Sequence, residues 1–149
     1  ETQEPAPMKI GLLILVLALV AVAALMAWVR LAPSDPARWH GALTFTKDED
    51  KEDAVIRVVP VNDPSAALAE LDRIALATPR TERLAGAVEE GSVTYITRSA
   101  FWGFPDYTTI TAAEDRVILF GRLRFGQSDF GVNKARVEGW ISQRTPEGT

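Results

Sequence analysis

Three side chains in this sequence are of the types that hydrolases use. His40, the single histidine, could act as a general base. Ser128 and Asp129 lie in the segment GQSDFG, which is similar to the nucleophile elbow G-x-S-x-G but places its second glycine one residue late. One interpretation is a hydrolase built on His40, Ser128 and a carboxylate. The simpler interpretation of His40 is a hydrogen-bonded side chain near Trp39.

The segment around Ser128 also fits a structural turn. Gly126 and Gly131 permit a tight turn with positive φ. The short polar side chains between them can then bond to the backbone, and Asp129 favours the N-terminus of a following helix. We therefore expect Asp129 and Asn133 to organise this turn, and we predict no catalytic residue in the chain.

The composition restricts the possible kinds of site. The chain has no cysteine, which excludes disulfides, thiolate nucleophiles and cysteine-ligated metals. A single histidine cannot build a histidine-rich metal site, so we expect neither a metal nor another cofactor. The formal net charge of −4 gives no indication of nucleic-acid binding.

The pattern of apolar residues predicts the elements that position these side chains. Stretches rich in β-branched residues predict strands, and apolar residues at helical spacing predict helices. The predicted order is strand 55–61, helix 64–78, strands 92–98, 107–111 and 116–125, and helix 133–142, with residues 80–88 irregular or a short strand. This order predicts an α+β domain, a small antiparallel sheet covered on one face by helices.

The segment from Phe101 to Tyr107 contains four aromatic residues. Most of them are expected in the core. Trp102, beside Gly103 and Pro105, is the one expected to be exposed, where it would mark a contact with a partner or with membrane lipids. Asp106 in the same segment is a further candidate functional carboxylate.

Residues 10–29 form an unbroken apolar run between Lys9 and Arg30. About 20 apolar residues in a helix cross a hydrocarbon core of about 30 Å, so the run predicts a single transmembrane helix. A cleaved secretory signal is the alternative, but its apolar region is usually only about 7–15 residues long. Trp28 sits where an interfacial anchor is expected.

Within this run, small residues predict a helix-packing face. Ala23 and Ala27 have the small-xxx-small spacing that lets another helix approach closely. Arg30 and Arg38 after the run favour a cytoplasmic domain by the positive-inside rule. A short N-terminal tail favours export instead, and we expect a bacterial inner-membrane protein with its domain in the periplasm.

Three blocks of the sequence resemble the DUF1499 family. The first is RLAPSDPARWH at residues 30–40, the second is FPD at 104–106, and the third is RFGQSDFGVN at 124–133. The resemblance covers nearly everything after the apolar run. It implies the α+β fold predicted above, and it implies no mechanism because the family has no established activity.

Single positions match the family's pattern or depart from it. Arg124 and Arg136 match the two arginines of the closing block, whereas Leu123 replaces a small polar residue. Tyr107 stands where a second acidic residue is common, so a carboxylate pair with Asp106 is missing here.

These observations give two hypotheses for function. The first is a single-pass accessory or scaffold subunit that docks on an integral membrane complex, respiratory or photosynthetic. The alternative is an exported, membrane-tethered hydrolase or lipid-binding domain. The expected organisation is a tail at residues 1–9, a transmembrane helix at 10–29, a proline-rich stem at 30–46 and the α+β domain at 47–145.

Overall fold

The computed structural model describes residues 7–146, which fall into two compact units that meet at the bond between Ala32 and Pro33. The first unit contains one long helix, α1 (Pro7–Leu31). Its most apolar 18-residue window has a mean hydropathy of 3.0, and none of that window is buried. The helix is therefore long and apolar enough to cross a membrane, although a signal sequence can have the same properties.

The second unit is built on one six-stranded sheet, in which every neighbouring pair of strands is antiparallel. The order across the sheet is β1-β2-β6-β5-β4-β3. The strands are β1 (Glu49–Asp50), β2 (Ala54–Pro60), β3 (Thr81–Ala87), β4 (Ser92–Arg98), β5 (Pro105–Ala112) and β6 (Arg116–Leu123). Together with the helices, this sheet confirms the predicted α+β class.

Two helices pack on one face of this sheet, and a short third helix, α2 (Pro36–Trp39), precedes it. The two are α3 (Pro64–Ala77) and α4 (Val132–Ser142). Asp63 caps α3 by accepting a hydrogen bond from the Ala66 N–H at 2.9 Å. The core between helices and sheet includes Leu68, Leu71, Tyr95, Ile110, Leu119, Val137 and Trp140.

The opposite face of the sheet is covered by residues 34–45, which we call the strap. Because side chains alternate along a strand, the residues that face the strap are the neighbours of those that face the helices. Tyr95 of β4 contacts α3 through Asp72, whereas the adjacent Thr94 bonds to His40 of the strap. Much of the segment predicted as a stem thus packs on the sheet.

Candidate functional site

The N-terminal end of the strap meets Tyr107 on β5. Ser34 Oγ and the Tyr107 hydroxyl share a hydrogen bond of 2.6 Å, and Arg124 Nη1 donates to the same hydroxyl at 2.9 Å. The indole of Trp39 stacks on the Tyr107 ring with 4.1 Å between the centroids. Tyr107 itself is fully buried. The first and last family blocks therefore meet on one buried phenol, which joins the strap to the sheet.

His40 lies near the middle of the strap, where it belongs to a chain of polar groups. Its Nδ1 is 2.9 Å from Thr94 Oγ1, which lies 2.8 Å from Thr109 Oγ1. Arg122 Nη1 donates to that second hydroxyl at 3.1 Å. Burial lowers the pKa of Arg122 to about 10, so it stays charged at neutral pH. These hydrogen bonds satisfy the buried hydroxyl groups of the two threonines, and they connect His40 to no carboxylate.

Gly86 makes room for the His40 ring. It has a φ of 81°, and a side chain there would bring its Cβ within 2.6 Å of His40 Cε1 and 2.1 Å of the Ser92 carbonyl oxygen. Only glycine adopts this conformation easily and leaves that space open. The backbone of the β3 strand is thus shaped around the strap.

Asp129 organises the turn between β6 and α4. Its carboxylate accepts hydrogen bonds from the Gly131 N–H at 2.9 Å and from the Asn133 N–H at 3.0 Å. Ser128 Oγ accepts one from the Phe130 N–H at 3.2 Å. These contacts satisfy backbone donors at the start of a helix, which is the structural role predicted for this segment.

Asp106 lies beside this turn on the helix side of the sheet, close to Arg136 and Asn133. Arg136 Nη2 is 3.5 Å from Asp106 Oδ2, and Arg136 Nη1 donates to Asn133 Oδ1 at 2.7 Å. Burial raises the pKa of Asp106, the charge of Arg136 opposes that rise, and the charge of Asp129 adds to it. Burial lowers the pKa of Arg136. Asp106 and Arg136 thus form a buried ion pair, although burial disfavours the charged form of each side chain.

The Asn133 side chain is the least satisfied part of this cluster. It is fully buried, and among the described residues its Nδ2 has no hydrogen bond of normal geometry. The same amide lies close enough to Asp106 to favour the charged form of that carboxyl. We interpret this weak contact as part of the packing of α4 against the sheet.

The structure brings some of the candidate residues together and separates others. Asp106, Asp129 and Asn133 form one cluster on the helix face. His40 bonds to Thr94 on the strap face, whereas Ser128 Oγ bonds to Phe130 N–H within its own exposed turn. The hydrogen-bonded nucleophile and base that a serine hydrolase requires are thus not assembled among these described residues.

Exposed aromatic side chains lie in two loops at one end of the sheet. Phe101 is 69% exposed and Trp102 42% exposed in the loop between β4 and β5, as predicted for Trp102. Phe130, in the turn before α4, is 94% exposed. The loops adjoin because Phe104 of the first and Phe125 of the second have ring centroids 6.4 Å apart. We call Phe101, Trp102 and Phe130 the aromatic end.

Phe130 is a surface residue that the sequence patterns do not predict. It is a non-glycine residue with a φ of 52°, a conformation that the sequence does not reveal for a phenylalanine. The flanking glycines and Asp129 indicated the turn, but they did not indicate which side chain it would expose.

The family assignment rests on a match that spans both units of the chain. The model described as "Protein of unknown function (DUF1499)" matches residues 29–143, which include the strap, the whole sheet and α4. A comparison with curated proteins finds no match. Residues of the first and third blocks join the strap to Tyr107 and hold the turn before α4. The chain therefore belongs to the DUF1499 family.

Proposed function

We propose that this chain is a single-pass membrane protein whose domain docks, without catalysing a reaction, on a larger integral membrane complex. The observation that carries the proposal is the aromatic end. Monomeric soluble domains rarely cluster large exposed aromatic side chains, and such clusters mark contact surfaces. Phe101 and Trp102 pack edge to face with 5.0 Å between their ring centroids, and the exposed Phe130 lies in the adjoining loop.

The properties of α1 support membrane attachment. Its apolar side chains are exposed over more than 20 residues, so they require an apolar environment such as membrane lipid or another helix. Ala23 and Ala27 lie on it as exposed small residues, and Trp28 is exposed near its C-terminal end. We propose that this helix stays in a bacterial inner membrane, with the domain in the periplasm.

The internal use of the polar residues supports a role other than catalysis. His40, Asp129 and Tyr107 each have protein partners that explain their burial or position. A domain whose polar side chains bond to one another in this way is suited to hold a contact surface rigidly. Respiratory and photosynthetic complexes are the partners that we propose for it.

The test is isolation of the tagged, full-length chain from its native membranes in a mild detergent. We expect a stoichiometric multisubunit complex on native gels, with subunits that mass spectrometry identifies. Phe101→Ser combined with Trp102→Ser should release the chain from that complex while it stays in the membrane fraction. Leu76→Ser is the matched control, because Leu76 is an exposed apolar residue of α3 outside the aromatic end.

Two results would contradict the proposal. One is a chain that migrates alone under conditions that keep other membrane complexes intact. The other is equal co-purification for the aromatic variants and the wild type. Protease protection in intact spheroplasts tests the side of the membrane, and the domain should be digested without lysis.

A further inference from the structure

A cleft of about 660 Å³ opens beside the buried ion pair, between the C-terminal end of α3, the end of β4 and one side of α4. This volume lies in the range of about 300–1,000 Å³ that is typical of small-ligand sites. Its walls carry both apolar and polar side chains, and the site uses residues outside the aromatic end and the strap.

Among residues 7–146, every charged side chain that lines this cleft is an arginine. The three are Arg80, Arg98 and Arg136. Within the part of the chain that the structure describes, neither Arg80 nor Arg98 has a carboxylate within 4.0 Å. Asp106 lies 3.5 Å from Arg136 and is itself nearly buried. The cleft is thus complementary to an anion.

Hydrogen bonds to backbone carbonyls fix Arg80 and Arg98. Arg80 has a φ of 57°, an uncommon conformation for a residue with a side chain. The Arg98 N–H donates to the Arg80 carbonyl at 3.0 Å, and Arg80 Nε donates to the Arg98 carbonyl at 3.0 Å. Arg98 Nη1 in turn donates to the Gly103 carbonyl at 3.1 Å. Both guanidinium groups are therefore held in place, and each has further N–H groups that can donate hydrogen bonds to a ligand.

Apolar side chains form a second part of the cleft wall. Ile74 of α3 and Val132, Ala135 and Trp140 of α4 line the cleft. Trp140 is buried, with its indole N–H donating to Thr78 Oγ1 at 2.8 Å, so the accessible apolar surface of the cleft comes mainly from Val132 and Ala135. An inorganic anion would use the arginines and leave this wall in contact with water.

We propose that the cleft binds an amphiphilic anion, a single acyl chain that ends in a carboxylate or a phosphate. The arginines contact the anionic oxygens, because guanidinium groups bind carboxylate and phosphate through paired hydrogen bonds. The apolar wall covers the acyl chain and removes it from water. This ligand goes beyond the docking role and uses different residues.

The experiment uses the full-length chain in phosphatidylcholine nanodiscs and a palmitic acid probe that carries a photoreactive diazirine. After irradiation, mass spectrometry locates the label, and labelling of α1 corrects for the probe dissolved in the lipid. We expect saturable labelling within residues 97–100 and 132–143. Excess palmitate or lysophosphatidate should suppress it, and the more potent of the two identifies the head group.

Two variants test the two halves of the cleft. Arg80→Gln combined with Arg98→Gln should weaken competition by palmitate at least tenfold. Gly139→Leu should do the same by filling the cleft, because Gly139 lines it and a Cβ there meets nothing within 4 Å. The leucine also favours the helix over glycine, so the thermal midpoint should not fall.

Arg116→Gln is the control for charge, since Arg116 lies at the opposite end of the sheet and should leave labelling unchanged. Four outcomes would overturn the proposal. They are no saturable label in the cleft, equal competition by hexadecanol, competition by inorganic phosphate alone, and full labelling of Gly139→Leu. Docking on the membrane complex is measured separately and does not depend on any of them.

Discussion

Asp106 and Arg136 form an ion pair inside the domain, although burial disfavours the charged form of each. Moving a carboxylate out of water costs free energy that one partner at 3.5 Å only partly offsets, and the nearby charge of Asp129 adds to the cost. The pKa of Asp106 is therefore raised in the folded state. Because an unfolded chain restores the ordinary value near 3.8, this site makes stability depend on pH.

The sign of that dependence gives a prediction. Between pH 3.8 and the raised native pKa, the folded state binds more protons at Asp106 than the unfolded state does. The wild type should therefore gain stability relative to Asp106→Asn as the pH falls through this window, and lose it as the pH rises. Urea unfolding of both proteins from pH 4 to pH 7 measures the difference. A gap that is constant with pH, or that changes in the opposite direction, would contradict the raised pKa.

A second prediction at the residue scale concerns the turn before α4. Asp129→Ala removes the acceptor for the N–H groups of Gly131 and Asn133. We expect a loss of about 1–2 kcal/mol in the free energy of unfolding, which is the usual cost of losing a helix cap. Ser128→Ala is the control with a smaller expected loss, because Ser128 accepts a single longer bond at 3.2 Å. Full stability of Asp129→Ala together with a lost cellular phenotype would show that the motif is a functional site.

At the scale of elements, the strap is the segment on which the sheet depends most. It covers the face opposite the helices, where Thr94, Thr109 and Tyr107 are buried beneath it. Without the strap, this face would expose an aromatic ring and a row of hydroxyl groups to water. The strap therefore covers the second face of the sheet, which the helices leave uncovered.

This dependence predicts where the domain can be cut. A soluble fragment of residues 33–146 should fold cooperatively, whereas residues 47–146 should not, because the shorter fragment lacks the Trp39 ring and the His40 bond to Thr94. Near-ultraviolet circular dichroism and the cooperativity of thermal unfolding distinguish the two. Equal folding of both fragments would show that the strap is dispensable. Trp39→Ala in the longer fragment should lose about 2–3 kcal/mol, from the burial and stacking of the ring.

Much of the fold could be predicted because its elements have strong local patterns. β4 alternates regularly, β6 places Leu119 and Gly121 on one face and Phe120 and Arg122 on the other, and both agree with the structure. For residues 80–88, which include β3, the sequence predicts either an irregular segment or a short strand. Its register shifts between Arg83 and Ala85, which breaks the alternation on which strand prediction depends.

The site was harder to predict because it depends on contacts between distant residues. Ser34 and Tyr107 are 73 residues apart, and no local pattern shows that they share a hydrogen bond. Proline-rich composition indicated an extended stem, and it could not indicate that the stem would lie on a sheet. The cleft was hard to predict for the same reason, since Arg80, Arg98 and Arg136 come from three separate segments of the sequence.

At the scale of the whole molecule, the proposed docking on a membrane complex gives α1 the role of a second contact surface. Apolar side chains cover all sides of this helix, as suits a helix in lipid. Because lipid tails are equally apolar, the hydrophobic effect does not drive one such helix to bind another. Association within the membrane then depends on close approach of helix backbones. The C-terminal half of α1 provides small side chains for this at Ala23 and Ala27.

Ala23→Leu combined with Ala27→Leu should therefore release the chain from the proposed membrane complex while leaving it in the membrane. The larger side chains keep the helix apolar and block the close approach that small residues permit. Ala18→Leu combined with Ala21→Leu is the matched control, since at 100° per residue these two alanines lie on the opposite side of the helix. Native gels and carbonate extraction measure the two properties separately. Loss of the complex in both double variants would indicate a general packing defect, and unchanged association in the Ala23 and Ala27 variant would place the contact elsewhere, with the aromatic end as the surface to test next.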